Sequence, residues 1–180
     1  MEPSDYALLE LIDRLGGVQG RKRLQKLVYL AKQRDLPIDD DFSFHYYGPY
    51  SSTLAARVDQ LTQAEYLKEE KHEQGDPKIV EYAYAIAEKG EEWVQTVRKS
   101  APDDFRARLK SGLVHADSLN KQPQVFVLEL ASTILYWRNQ GYSWSDAEET
   151  TLRRKHAVRD TTVFQDACQI ARDAAGDSSS

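Results

Sequence analysis

Apolar residues return along this chain with two periods, and the switches between them mark out its elements. Over 4–15, Leu8, Leu9, Ile12 and Leu15 fall on one face and predict a first helix, capped by Ser4 or Asp5 and ended by Gly16-Gly17. Leu24, Leu27, Val28 and Ala31 follow at i, i+3, i+4 and i+7 and predict a second helix from about Arg21 to Arg34. A turn-rich, acidic connection through Pro37 leads to Phe42, Phe44 and Tyr46, which alternate with Ser43, His45 and Tyr47. That period of two predicts a strand over 42–47, broken by Gly48-Pro49, with Tyr46 packed inward beside Phe42 and Phe44. Leu54, Val58 and Leu61 then predict a helix from about Ser51 to Gln63, with Ser51 as its N-cap.

Residues 66–72 and 79–86 read as two strands of a β-hairpin around Gly75-Asp76-Pro77, with Val80, Tyr82, Tyr84 and Ile86 on one face. A helix from near Glu88 to about Lys99 turns Trp93 and Val97 inward. Pro102 marks a boundary, beyond which the pattern is helical. Phe105, Leu109, Leu113 and Ala116 line one helix; Val127, Leu130, Ala131, Ile134 and Leu135 line the next. Ser145 and Glu148 form a capping box for a third helix running through His156, and Asp160 is a cap for a fourth carrying Phe164, Ala167 and Ala171. A cationic helix, a strand, a tight turn, a short helix and a hairpin, in that order, suggest a winged helix. The expected fold is therefore α+β, mostly helical: a winged helix-turn-helix domain over 1–100, a C-terminal helical extension over 103–175 and a disordered tail over 176–180.

Composition narrows the class. Hydrophobic residues at 41% and charged residues at 29% are those of an ordinary globular protein, and no run approaches the roughly 18 apolar residues that span a bilayer. The acidic start lacks the features of a signal peptide, and a single cysteine, Cys168, excludes an internal disulfide, so a cytoplasmic protein is expected. The net charge of −5 weighs against nucleic acid without excluding it, since only the contacting face need be positive.

Catalytic chemistry finds no residue set. His45, His72, His115 and His156 lie far apart, no HExxH or CxxC spacing occurs, and Cys168 sits on an apolar helix face. Gly16-Gly17-Val18-Gln19-Gly20 lacks the context of a phosphate loop. No catalytic residue, metal site or cofactor is expected.

Binding chemistry is better represented. Arg21, Lys22, Arg23 and Lys26, followed by Lys32 and Arg34, put six cations within 14 residues. In a helix-turn-helix such residues neutralise phosphates where the preceding helix crosses the DNA backbone; otherwise they are a solvated outer face. Ser51, Ser52 and Thr53 offer hydroxyls at a helix N-terminus, and Arg57 or Gln60 is placed to reach base edges. Against DNA, Glu69, Glu70, Glu73 and Asp76 outnumber Lys68, Lys71 and Lys78 on the hairpin. His45, Tyr47 and Tyr50 point away from the packed strand face and form a candidate contact patch for a protein partner. Trp137, Tyr142 and Trp144 close a loop or line a pocket, and Arg153, Arg154, Lys155 and Arg159 extend the positive charge.

The runs GRKRLQKLVYLAK (20–32) and FSFHYYGPYSSTLAARVDQL (42–61) resemble bacterial and archaeal winged-helix proteins of the YwgA type. More distantly they are similar to the Panacea domain of SocA-like antitoxins, with its LQKLLY-type helix and YGP turn. The likeness covers roughly residues 5–100 and extends to the segment 128–137 and the helices after it. It implies a winged helix and a regulatory or antitoxin-like role without catalytic residues. One departure is Ala87, where winged helices often carry Thr or Ser as a cap.

Two functions are expected of such a chain. One is a transcriptional regulator that binds duplex DNA through Arg21, Lys22, Arg23, Lys26, Ser51, Ser52, Thr53, Arg57 and Gln60, as a homodimer built by the C-terminal helices. The other is an antitoxin or adaptor that clasps a toxin-like protein through His45, Tyr47 and Tyr50.

Overall fold

The structure, a computed structural model, describes residues 2–74 and 79–177. Its elements follow in the order α1 (Pro3–Arg14), β1 (Val18–Gln19), α2 (Arg21–Lys32), β2 (Ser43–His45), β3 (Gly48–Tyr50), α3 (Ser52–Gln63), β4 (Leu67–Gln74), β5 (Ile79–Ile86), α4 (Glu88–Arg98), α5 (Asp103–Asn120), α6 (Val125–Asn139), α7 (Trp144–Lys155) and α8 (Thr162–Ala175). The class is α+β with helices dominant. β1, β5 and β4 form an antiparallel sheet in that spatial order, with Val18 opposite Tyr84 and Leu67 opposite Ile86. β2 and β3 form a separate small hairpin.

The apolar faces predicted for α1, α2 and α3 are the faces that are buried: Leu8, Leu9 and Ile12; Leu24, Leu27 and Val28; Leu54, Val58 and Leu61. Ser51 caps α3 by accepting a 3.0 Å hydrogen bond from the Leu54 N–H. Three caps lie one or more residues from their expected places. α1 begins after Glu2, whose N–H donates to the Asp5 carboxylate, while Ser4 is buried and accepts from the Asp39 N–H. Ser143, not Ser145, caps α7 through the Asp146 N–H, and Thr161, not Asp160, caps α8. β1 was not predicted, because two residues carry no period.

The aromatic segment departs most from expectation. Gly48-Pro49 does not break the strand; it is the middle of the returning one, with Phe44 opposite Pro49 and His45 opposite Gly48. Tyr46-Tyr47 is the two-residue turn. A turn residue no longer follows strand alternation, and Tyr46, expected inward, is 78% exposed. Proline is tolerated here because β3 pairs on one side only.

A single apolar cluster runs through the chain from Tyr6 to Ala174. α6 is apolar nearly all round, burying Val127 through Leu135, and packs against α2, β3, α7 and α8. α5 packs on α1 and α2, and Gly112 lets it approach so closely that a Cβ would lie 2.6 Å from the Leu36 Cα. The faces expected to build a dimer are thus covered within the chain. Gly176 and Asp177, expected in a disordered tail, close α8 in a left-handed turn, and Asp177 accepts from the Trp144 indole N–H. Residues 178–180 lie outside the described residues. The same holds for the hairpin turn at Gly75-Asp76-Pro77 and for Lys78. Among the described residues no helix is long and apolar enough to cross a membrane.

Candidate binding cleft and the ion network behind it

Between α2, α3 and the β2–β3 hairpin lies a cavity of ≈ 390 Å³. Leu24, Leu54, Ala55 and Val58 supply its apolar walls. His45, Tyr47 and Tyr50 stand at its mouth, with the His45 and Tyr50 ring centres 5.5 Å apart. The hairpin explains this grouping. Residues 43, 45 and 50 sit on the outer side of the ribbon, while Phe44 turns inward against Tyr136 and Trp137. Arg21, Lys22 and Lys26 bring positive charge to the same cavity, and Asp59 lines its α3 wall.

Behind the hairpin stands a charged cluster that periodicity could not reveal. Glu129 of α6 is buried, and its two oxygens accept from Lys22 at 3.0 Å and Lys155 at 2.8 Å. Lys155 also donates to the Tyr46 carbonyl. Lys26 is 1% exposed and donates to the Pro49 carbonyl at 2.5 Å. Burial pushes its ammonium down to about 7; Glu129 opposes that shift, while Lys155 and Lys22 add to it. Burial alone would raise the Glu129 carboxyl, but the hydrogen bonds from Lys155 and Lys22 outweigh it and hold the acid below its usual range. Gly48 makes this packing possible. Its φ is +83°, and a Cβ there would lie 2.6 Å from the Thr133 hydroxyl and 3.6 Å from the Lys26 nitrogen.

The cations expected to contact DNA are engaged within the chain. Arg21 pairs with Glu69 at 3.0 Å, donates to the Tyr84 hydroxyl at 2.9 Å and stacks over Tyr82. Lys22 lies 4.1 Å over the Tyr47 ring besides meeting Glu129. Arg23 donates to the carbonyls of Gln122 and Pro123, holding the α5–α6 connection onto α2. Arg57 is clamped by Asp5, Asp40 and Glu2, and Asp40 is itself buried. Gln25 exchanges two 2.9 Å hydrogen bonds with the Ser51 backbone and fixes the entry into α3. Ser52, Thr53 and Gln60 are exposed. The cleft therefore gathers Arg21, Lys22 and Lys26 with His45, Tyr47 and Tyr50. It does not gather Arg23, Arg57 or Gln60.

Of the C-terminal residues, Trp137 stacks with Tyr142, and Arg154 lies over both Phe44 and Trp137, so these rings fasten the loop and hairpin to α6 and α7. Cys168 is half-buried, and burial pushes its thiol up to about 11, away from nucleophile chemistry. No period in the sequence singles out Glu129. Its signal was a lone acid inside the apolar stretch 125–135, where an unpaired charge would be costly.

Fold and cleft together define a mostly helical α+β protein with an aromatic-mouthed cavity backed by buried charge. No family model matches the chain. It is 34% identical over 130 residues to uncharacterized protein YwgA of Bacillus subtilis (strain 168), a match that covers 72% of this chain and 72% of that protein. The chain belongs to the YwgA family.

Proposed function

We propose that this protein is a cytoplasmic, non-enzymatic regulator on a winged-helix scaffold, which acts by clasping a partner protein at its aromatic corner. The succession α1, β1, α2, α3, β4, β5, with a sheet ordered β1-β5-β4, supports the scaffold. Tyr46, Tyr47 and Tyr50 are exposed at 78%, 48% and 38%, and tyrosines held on a short hairpin offer large contact area at low entropic cost. The observation that carries the choice of a protein over DNA is the engagement of Lys22, Arg23, Lys26 and Arg57 with partners inside the chain. Freeing them for phosphates would break contacts that hold the fold together, so little of the counterion release that drives DNA affinity is on offer. Glu70, exposed on β4, points the same way.

The reading is tested with a photo-crosslinking amino acid at position 46, introduced into the full chain in its own cells. The expected product is a discrete protein–protein adduct that disappears when Tyr47 and Tyr50 are changed to alanine. Fluorescence anisotropy with mixed-sequence duplex DNA provides the opposing arm. Binding that weakens steeply with salt and is lost in Arg21→Gln would overturn the protein reading in favour of transcriptional control.

A further inference from the structure

Three ammonium groups, those of Lys22, Lys26 and Lys155, surround a single carboxylate, Glu129. Lys26 and Lys155 are almost wholly removed from water, with Lys155 at 5% side-chain exposure. Buried charge is stable only when paired, and here one acid answers three bases. Lys22 and Lys155 meet it directly, whereas the hydrogen bond described for Lys26 goes to the neutral Pro49 carbonyl. An ammonium carries three donors. Lys26 also lines the cavity whose walls are Leu24, Leu54 and Val58. Positive charge from Lys22, and from Lys26 when it is protonated, therefore borders an apolar chamber with room for a small molecule.

We propose that this cleft binds a small organic acid, its carboxylate set against Lys22, in front of the buried Lys26, and its apolar body lying on Leu24, Leu54 and Val58 beneath Tyr47 and Tyr50. A cavity of about 150 Å³ suffices for benzene, so this larger one accepts a ring or short alkyl chain together with the acid group. The acid supplies the negative charge that the cluster lacks, and the apolar body replaces water on the aliphatic walls. Asp59, exposed on the α3 wall, is the one acid among the described residues that line the cavity. The inference stands apart from the partner reading, because its test contains no second protein.

Binding is measured by titration calorimetry on the full chain, with 4-phenylbutyrate and octanoate as probes and their neutral amides as controls. Saturable 1:1 binding of at least one acid is expected, with its amide weaker by about tenfold or more. A second readout needs no variant. The charged and titratable groups around Lys26 are Lys22 on its own helix, Glu129 on α6, Lys155 on α7, His45, Tyr47 and Tyr50 on the hairpin, Asp59 on α3, and Tyr84 with Arg21 at the far wall. A carboxylate beside Lys26 favours its charged form, so near pH 8 binding should take up a fraction of a proton, and near pH 6 almost none. Comparing buffers of different ionisation heat reads that uptake. Val58→Phe should fill the chamber and abolish binding, Lys26→Met should erase both acid preference and proton uptake, and Asp59→Asn should bind equally or more tightly. The proposal is overturned if neither acid saturates by about 10 mM, well beyond ordinary weak binding. Amides that bind as well as the acids, absent proton uptake at pH 8, or Asp59→Asn weakening the acids would each overturn it too.

Discussion

An ammonium withdrawn from water costs several kcal/mol, so a lysine at 1% exposure must be held there by the packing around it. Lys26 is held by its place on the buried face of α2, one residue before Leu27, and by the Pro49 carbonyl that it keeps satisfied. The cost has a pH signature. In the unfolded chain this lysine keeps its proton to about pH 10.4, whereas in the fold it gives the proton up at about 7. Between those values the unfolded state binds more protons, so stability rises with pH; below 7 both states are charged and this contribution is flat. The useful window ends at about pH 8.5, where the raised Cys168 thiol begins to favour the unfolded state, followed from about pH 10 by the raised phenols of Tyr6, Tyr29 and Tyr84. Urea unfolding should therefore give the wild type roughly 1 kcal/mol more stability at pH 8 than at pH 7. Lys26→Met should lose most of that rise. An unchanged slope in the variant would show that Lys26 stays charged in the fold.

At the scale of elements, charge proves to be the means by which helices and loops are fastened together. Arg57 ties the middle of α3 to the start of α1 through Asp5 and to the loop after α2 through Asp40. Arg98 joins α4 to α1 by two hydrogen bonds to Glu10, at 2.9 and 2.7 Å. Removing one partner from such a buried pair leaves the other uncompensated. Arg57→Ala should cost about 3–5 kcal/mol in chemical denaturation, far more than loss of an exposed base-reading arginine. A loss below about 1 kcal/mol would return Arg57 to the solvated surface role that an outward helix position suggests. Periodicity reaches its limit here. Helices α1, α2, α3, α5 and α6 were legible because their buried faces repeat at i, i+3 and i+4, and Ser51 announced its cap. Partners of charged residues carry no such period. Arg21 finds Glu69 across 48 positions, Lys22 finds Glu129 across 107, and Lys155 reaches the Tyr46 carbonyl across 109. The hairpin was misread for a related reason: Tyr46 continued the alternation of Phe42 and Phe44 in sequence after the chain had already turned.

On the scale of the whole molecule, the division at Pro102 is a boundary in sequence pattern that the packing does not respect. α2 lies between the N-terminal elements and the later helices, with α5, α6 and α8 against it. Leu27, Leu30 and Ala31 on its buried face have no exposure at all, and Leu113, Ala116 and Leu128 belong to the same cluster. The hairpin that forms the mouth of the cleft leans on α6 through Gly48, and Glu129, Thr133 and Lys155, all beyond the boundary, hold it there. Residues 1–101 alone would leave the faces of α1 and α2 that meet α5 and α6 in water, and would leave Lys22 without its acid. Each fully buried Leu or Val is worth about 1.5–3 kcal/mol, and a domain is stable by only about 5–15 kcal/mol in total. Losing the partners of even a few such residues exceeds that margin. A chain cut after Ala101 should therefore show no cooperative thermal transition, bind hydrophobic dye and lose the tertiary near-ultraviolet signal. The full chain should unfold in one step that fluorescence of Trp93, on the N-terminal side, and Trp137, on the C-terminal side, report at the same temperature. Two separated transitions, each restoring native-like dispersion in the isolated fragment, would mean that residues 1–101 are complete without the later helices and that the cleft needs another explanation for its charge.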